Sequence, residues 1–261
     1  MTIFNSLSGH PDPPLTLVMP VHYEGVRVIP AIATLAYTVK VPLKLLIVYD
    51  SPEDPTYGVV ESLQPAFPGI TPVLNAHKGA IGAIRTGFEA NTSEVVGIWV
   101  SYHVDPYGLV NRMHELATSG GCLLVSGNRF NRLRRFSRGS LVKKLLSRAG
   151  NYVLNRIIGM PIGDITTSLK LYRKEFLDAN PIETSESGGW ALSTELAVKA
   201  AIAGVRLGEV EFKPENTSII NGVSNFRVFG QLDQYLKWLG MGWRSRKRIA
   251  ENYRRQGSIV R

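Results

Sequence analysis

An α/β fold, a mostly parallel central sheet with helices on both faces, follows from three features of the chain. Short runs rich in β-branched residues, such as Leu15–Met19, Leu43–Val48 and Val95–Val100, read as strands buried on both faces. Segments with helical apolar spacing separate them, and that alternation argues a parallel sheet covered on both sides. The runs then break into polar, turn-forming residues at their carboxyl ends, where open sheets bind ligands.

Composition sets the outer limits. With 261 residues, 44% hydrophobic and 20% charged, the chain suits one large globular domain with or without an appendage. No run approaches the ~18–20 apolar residues of a membrane span. The opening MTIFNSLSGHPDPP lacks the order of a signal peptide, and residues 1–14 read as a flexible lead. A single cysteine, Cys122, fits a reducing, cytoplasmic setting. The net charge of +9 is unevenly placed: Leu116 to Gly163 holds nine Arg or Lys and no acid. A second basic cluster runs from Arg244 to Arg255. Such fields attract anionic lipid, phosphorylated substrate or nucleic acid. No nucleic-acid recognition module is present, so no nucleic-acid partner is expected.

In chain order, Leu15–Met19 is a strand closed by Pro20, and Val28–Thr38 a helix with Ile29, Ile32, Ala33 and Ala36 on one face. Leu43–Val48 is the second strand, followed by the turn Asp50–Thr56 and a short helix over 56–64. Thr71–Leu74 is a weaker strand, and Lys78-Gly79 opens a helix with Ile81, Ile84 and Phe88 inward. The strand 95–100, a helix near 107–118 and a strand over 122–126 complete the first half. The second half holds a polar loop over 127–140, an amphipathic helix Leu141–Ile158, and a turn from Asp164 into a short strand with a helix at Lys174–Ala179. It continues with a helix Thr194–Ala203, a strand Leu207–Phe212 and a loop over 213–225. Gln231–Trp243 is a helix with Leu232, Tyr235, Leu236, Leu239 and Trp243 on its apolar face, and a basic tail follows.

Several polar residues sit where chemistry is expected. His103 and Asp105 are two apart and share a side in extended chain, a pair able to hold a divalent ion. Equally, Asp105 before Pro106 has the form of a helix cap. Asp50 and Asp54 suit a ribose or base edge, or ordinary turn chemistry. Lys78 and Gly79 at a helix start suit a phosphate. The arginines 129–138 suit a pyrophosphate leaving group or form a solvated basic surface. Asp164 is the first acid after the acid-free stretch, an ionised base or orienter. Glu195 lies in the helix after Thr194. No Ser-His-Asp order or Cys/His spacing points to hydrolysis or a zinc site.

These stretches resemble family-2 glycosyltransferases, in particular the dolichyl- or polyprenyl-phosphate mannosyltransferase-like branch with its GT-A, Rossmann-like fold. The resemblance runs from Leu15 to about Trp238. LTLVMPVHYEG is similar to the first strand and its acidic loop, with Pro20 at the strand end and Glu24 at the acid position. LLIVYDSPEDPT is similar to the second strand, with Tyr49 and Asp50 at its base-binding pair. KGAIGAIRTGFEAN, with Arg85, resembles the helix beside the nucleotide. SGNRF, SRAGNYVLNRIIG and GDITTSLKLYRKEFL are the most specific matches, and the last implies that Asp164 lies near acceptor phosphate and sugar. GGWALSTELAVKAAIAGVRLGEVEF includes Glu195. Two positions depart from the pattern. The Asp-x-Asp metal motif reads Trp99 and Ser101, with His103 at a further polar position, and the arginine of Asp-Arg-x-x-Gly-x-Ser is replaced by Ile219.

The resemblance implies an inverting transfer of sugar from a nucleotide diphosphate sugar to a polyprenyl phosphate or related acceptor. Asp164, Arg129 and Glu195 would be catalytic; Pro20, Glu24, Asp50, Lys78, Gly79, Arg85 and Ser101 would face the donor; His103 and Asp105 would hold Mg2+ or Mn2+. The expected division is a domain over 15–230, with a nucleotide-binding half (15–126) and an acceptor half (127–230). The C-terminal amphipathic and basic extension (231–261) reads either as an interfacial helix, peripheral at the cytoplasmic membrane face, or as a packed terminal helix with a solvated basic end. The alternative is a degenerate relative that binds donor or lipid phosphate without turnover.

Overall fold

The computed structural model describes residues 5–105, 107–129, 152, 155–156, 158–182, 185, 191–212, 232–256 and 260. The chain divides into two compact units, one on residues up to His114 and the other on residues from Glu115 onward. Most of the amphipathic helix expected at 141–158, most of the arginine loop and the loop 213–225 with Ile219 lie outside the described residues.

The first unit carries four parallel strands, β1 (Leu15–Pro20), β2 (Leu43–Tyr49), β3 (Ile70–Leu74) and β4 (Val95–Ile98), in the order β3-β2-β1-β4. β1 and β4 are buried almost throughout, as two-sided apolar runs demand. Helices α1 (Ile29–Thr38), α2 (Pro55–Leu63), α3 (Gly79–Glu89) and α4 (Leu109–Ala117) connect or follow them. Because the strands run parallel, the segments after β1, β2, β3 and β4 emerge at one edge of this sheet.

Two helix faces differ from expectation. α1 buries Ala31, Ile32, Leu35 and Ala36, while Ile29 is exposed. α3 turns its small residues inward, burying Gly82, Ala83, Ile84, Thr86 and Gly87. A Cβ on Gly87 would stand 2.3 Å from Val18 Cγ1, so only glycine allows this close approach to β1. Close backbone packing, rather than the largest apolar stripe, decides the face. β4 also stops at Ile98, two residues earlier than expected, because Trp99–His103 fold into a turn closed by a His103 N–H to Val100 carbonyl bond of 3.0 Å.

The second unit holds β5 (Leu124–Asn128), β6 (Lys170–Arg173) and β7 (Leu207–Glu211), with β5 antiparallel to β6 and parallel to β7. Its helices are α5 (Lys174–Ala179), α6 (Leu192–Ala203), α7 (Leu232–Arg244) and α8 (Arg246–Gln256). The expected basic tail is thus largely helix: α8 docks through Asn252 to the Ala201 and Ile202 carbonyls and through the Tyr253 hydroxyl to Val205 O. α7 buries Trp238 and Gly242 and leaves Leu236 (56%) and Trp243 (46%) exposed. Among the described residues no helix is long and apolar enough to cross a membrane.

Candidate active site

At the edge of the first unit, two loops are tied together by one carboxylate. Asp54 is buried; its Oδ1 accepts from Thr56 N–H at 2.8 Å, capping α2, and its Oδ2 accepts from Tyr23 N–H at 2.8 Å. That bond holds Tyr23 at φ 55, an uncommon backbone conformation for a bulky residue. Thr56 Oγ1 accepts from Gly25 N–H at 2.9 Å, so the segment after Pro20, including half-buried Glu24, is pinned onto α2. Asp54 therefore shapes the edge, and the exposed carboxylate beside it is Asp50. Asn75 Nδ2 donates to Asp50 Oδ1 at 2.6 Å, and His22 Nδ1 lies 3.8 Å from Oδ2.

Asn75 is the residue that the sequence does not single out. It donates also to Gly79 O and accepts from His77 N–H and the Thr86 hydroxyl, joining the end of β3 to the start of α3. The available signal was its position, the first residue past a parallel strand. Tyr49, at the first position of the base-binding pair, is buried with its ring 5.4 Å from Tyr57, and burial pushes its hydroxyl up from its ordinary value. Lys78 and Gly79 are exposed at the α3 N-terminus, Gly79 with φ +76 and open space where a Cβ would stand. Arg85 instead lies along α3, its Nε donating to Glu89 at 2.9 Å, and Glu89 also meets His77.

The strand end that was expected to hold a metal is built differently. Trp99 is buried and its indole N–H donates to His103 O at 2.9 Å. Ser101 is buried in the turn between them. Asp105 is fully buried, and its two oxygens accept from Leu109 N–H at 2.6 Å and Val110 N–H at 2.9 Å. This is a cap on α4, which corrects the expectation that Asp105 joins His103 as a metal ligand. Burial raises its carboxyl above the ordinary range, and the two amides oppose that shift. Among the described residues no group of three or more His, Cys, Asp or Glu converges. The side chains here do not fit a carboxylate-held Mg2+ or Mn2+.

In the second unit Asp164 and Arg129 meet directly. Asp164 is fully buried, and Arg129 grips it with two bonds, Nε to Oδ2 at 2.6 Å and an Nη to Oδ1 at 2.9 Å. Arg129 N–H adds a third bond to Oδ2, and the same Nη reaches Thr166 Oγ1 at 3.0 Å. The arginine side chain keeps 31% of its surface exposed. Burial alone would raise the Asp164 carboxyl, but the Arg129 charge and hydrogen bonds, helped by Lys170, hold it below its ordinary value. Asp164 is an ionised orienter of Arg129, and its engaged oxygens make it a poor proton acceptor.

Glu195 belongs to a different cluster. It is buried in the first turn of α6, 2.7 Å from Lys199 Nζ and accepting from the Ser185 hydroxyl at 2.8 Å. Lys199 in turn lies over the Trp238 ring at 5.6 Å. The ion pair lies within α6, and Lys199 carries the contact onward to Trp238 of α7.

Comparison with known proteins gives this geometry a context. The family model described as Glycosyl transferase family 2 matches residues 16–180. A curated relative, the dolichyl-phosphate hexose transferase of Haloferax volcanii, is 35% identical over 80 residues, a stretch covering 29% of this chain and only 33% of that protein. Among solved structures, glucosyl-3-phosphoglycerate synthase from Mycobacterium tuberculosis with Mn2+, uridine-diphosphate and glucosyl-3-phosphoglycerate superposes with a TM-score of 0.61 at 16% identity, over 94% of this chain and 84% of that one. The same enzyme with Mn2+, uridine-diphosphate-glucose and phosphoglyceric acid gives 0.62 at 16% identity, over 92% and 84% of the two chains. At such identity the likeness is one of fold, a GT-A α/β architecture. The family match is carried by sequence over more than half of the chain, and the chain belongs to glycosyl transferase family 2.

Proposed function

We propose that the chain transfers a sugar, with inversion, from a nucleotide diphosphate sugar to a phosphate-bearing acceptor of the polyprenyl phosphate type. The single observation that carries this reading is Arg129, aimed by a buried, ionised Asp164 and still part-exposed. A guanidinium fixed in this way is a ready ligand for phosphate oxygens, and Thr166 stands beside it as a hydroxyl partner. An acceptor phosphate is already an anion near neutral pH, so direct displacement needs no strong base. The engagement of Asp164 with Arg129 agrees with that. Residues 15–126 serve the donor, through Asp50 with its Asn75 support and the Lys78-Gly79 helix start; residues 127–230 serve the acceptor. The ligands of the solved neighbours, uridine-diphosphate-glucose and phosphoglyceric acid, support a nucleotide sugar donor and a phosphate-bearing acceptor, and the name of the Haloferax volcanii relative supports the lipid phosphate.

Turnover of UDP-glucose and GDP-mannose with a short polyprenyl phosphate tests the reading. Asp164→Asn is expected to lower kcat at least a hundredfold; full activity in that variant rejects it. A second reading, donor binding without turnover, is favoured by Trp99, whose buried indole occupies the strand end where a carboxylate is expected. Calorimetry with UDP, with and without Mn2+, separates the two. Metal-indifferent binding with no transfer to any acceptor selects the second. The membrane contact rests on Leu236 and Trp243, one face of α7, with Lys237, Arg244, Lys247 and Arg248 exposed near them. Sedimentation with phosphatidylglycerol vesicles should fall severalfold in Trp243→Ser; equal sedimentation removes α7 from the reading.

A further inference from the structure

The strands of the second unit carry a polar row that apolar packing does not require. In register, Ser126 of β5 pairs with Lys170 of β6 on one side and with Glu209 of β7 on the other. Side chains directly opposite one another share a sheet face, so three strands place a lysine, a serine and a glutamate abreast. All three are buried, and all three bond the segment from Gly163 to Thr167.

The bonds account for most of that segment's backbone. Glu209 Oε1 accepts from Gly163 N–H at 2.5 Å and from Asp164 N–H at 3.3 Å. The Ser126 hydroxyl donates to Asp164 O at 2.9 Å. Lys170 Nζ donates to Ile165 O at 2.8 Å and also to Thr167 O. Asn155 Nδ2 donates to Gly163 O at 3.0 Å, and Thr167 N–H bonds Asp164 Oδ1 at 3.2 Å. Arg129 then closes on both oxygens of the same aspartate.

We propose that Lys170 and Glu209 are positioning residues, which act through this row to hold the Asp164 segment in the one conformation that aims Arg129. Stability alone is a poor reason for the arrangement, because well-packed apolar residues often replace buried ions without loss. A lysine whose ammonium bonds two carbonyls of one turn instead sets the shape of that turn. Among the described residues the charged groups facing Lys170 are Asp164, Arg129 and Glu209, two acids and one further cation, so with all four ionised this cluster is neutral as a whole. Neutrality behind the pair leaves Arg129 as the outward charge. The reading of Arg129 as a phosphate ligand is needed only for the kinetic part of the test.

The test uses the whole chain, isotope-labelled, and follows solvent exchange of the Arg129 Nε–H together with the amides of Gly163, Asp164 and Thr167. Lys170→Met is expected to speed exchange at these sites at least tenfold, with Val125 and Leu171 in the strands within twofold of wild type. Glu209→Ala should do the same at Gly163 and Asp164. Glu209→Gln keeps an acceptor oxygen and should restore most of the protection. With UDP-glucose or GDP-mannose as donor, kcat should fall at least tenfold in Lys170→Met while the donor KM stays within twofold. Unchanged protection of Arg129 in both Lys170→Met and Glu209→Ala overturns the proposal. Loss spread evenly over β5, β6 and β7 overturns it too, as does failure of all three variants to fold, since either marks a merely structural role. Altered exchange with no transfer activity in any form of the chain leaves the clamp standing and rejects the catalytic reading.

Discussion

Buried carboxylates are handled in two ways in this molecule. In the first unit, Asp54 and Asp105 are satisfied by backbone N–H groups alone, three of the four from residues two to five positions away. In the second, Asp164 and Glu209 share a cluster with Arg129 and Lys170, Arg129 reaching Asp164 across 35 residues and Glu209 reaching Gly163 across 46. A cap forms with its own helix and shapes one turn. The ion cluster exists only once three strands are in register, and it leaves a charged arginine facing outward.

The contrast is broken most severely at Asp164. Asp164→Asn leaves Arg129 and Lys170 without their shared anion, and urea unfolding should show a loss of about 3–5 kcal/mol. A loss below ~1 kcal/mol would mean that the cluster is no tighter than a cap. Next comes pH. Lys170, with burial the main cause, is lowered from 10.5 to about 7, so between those values the unfolded chain binds more protons than the folded one. The contribution of Lys170 to stability therefore rises with pH across that window, and Lys170→Met should flatten the rise in urea midpoints measured from pH 6 to 9. On the acid side, Asp164 gives a slope of the same sign: its contribution is present above its ordinary value and is lost as pH falls through its lowered one.

Smaller effects belong to the first unit. Asp105→Ala and Asp54→Ala each remove a helix cap and should cost about 1–2 kcal/mol. For Asp105→Ala the loss should be the same with and without Mn2+ in a thermal melt; a variant that responds only with metal present would restore the ligand role. Arg85→Ala removes an i,i+4 pair on the surface of α3 and should cost ~0.3–0.5 kcal/mol. A larger loss would show that Arg85 does more than pair with Glu89.

Much of the architecture was legible because it is written in local pattern. Two-sided apolar runs marked β1, β2 and β4, and Asp105 before Pro106 already had the form of a cap. The faces of α1 and α3 were misread, since periodicity alone does not say which side meets a sheet. Gly87 shows why: a glycine draws a neighbour close, here Val18, and apolar count does not register that. At the candidate site, Asp164 and Arg129 stood out as an acid among cations. Lys170, inside a short strand, read as an ordinary polar residue, and Glu209 had no visible partner.

The order of residues by itself determined the strands, the caps and the family, because each depends on neighbours a few positions apart or on a run of motifs. Tertiary structure alone decided that Asp54 reaches back to Tyr23, that Arg129 meets Asp164, and that Lys170, Ser126 and Glu209 form one row. The physical reason is range. Desolvation and ion pairing act between groups brought together by strand register, and a register is a property of the folded sheet rather than of any segment within it.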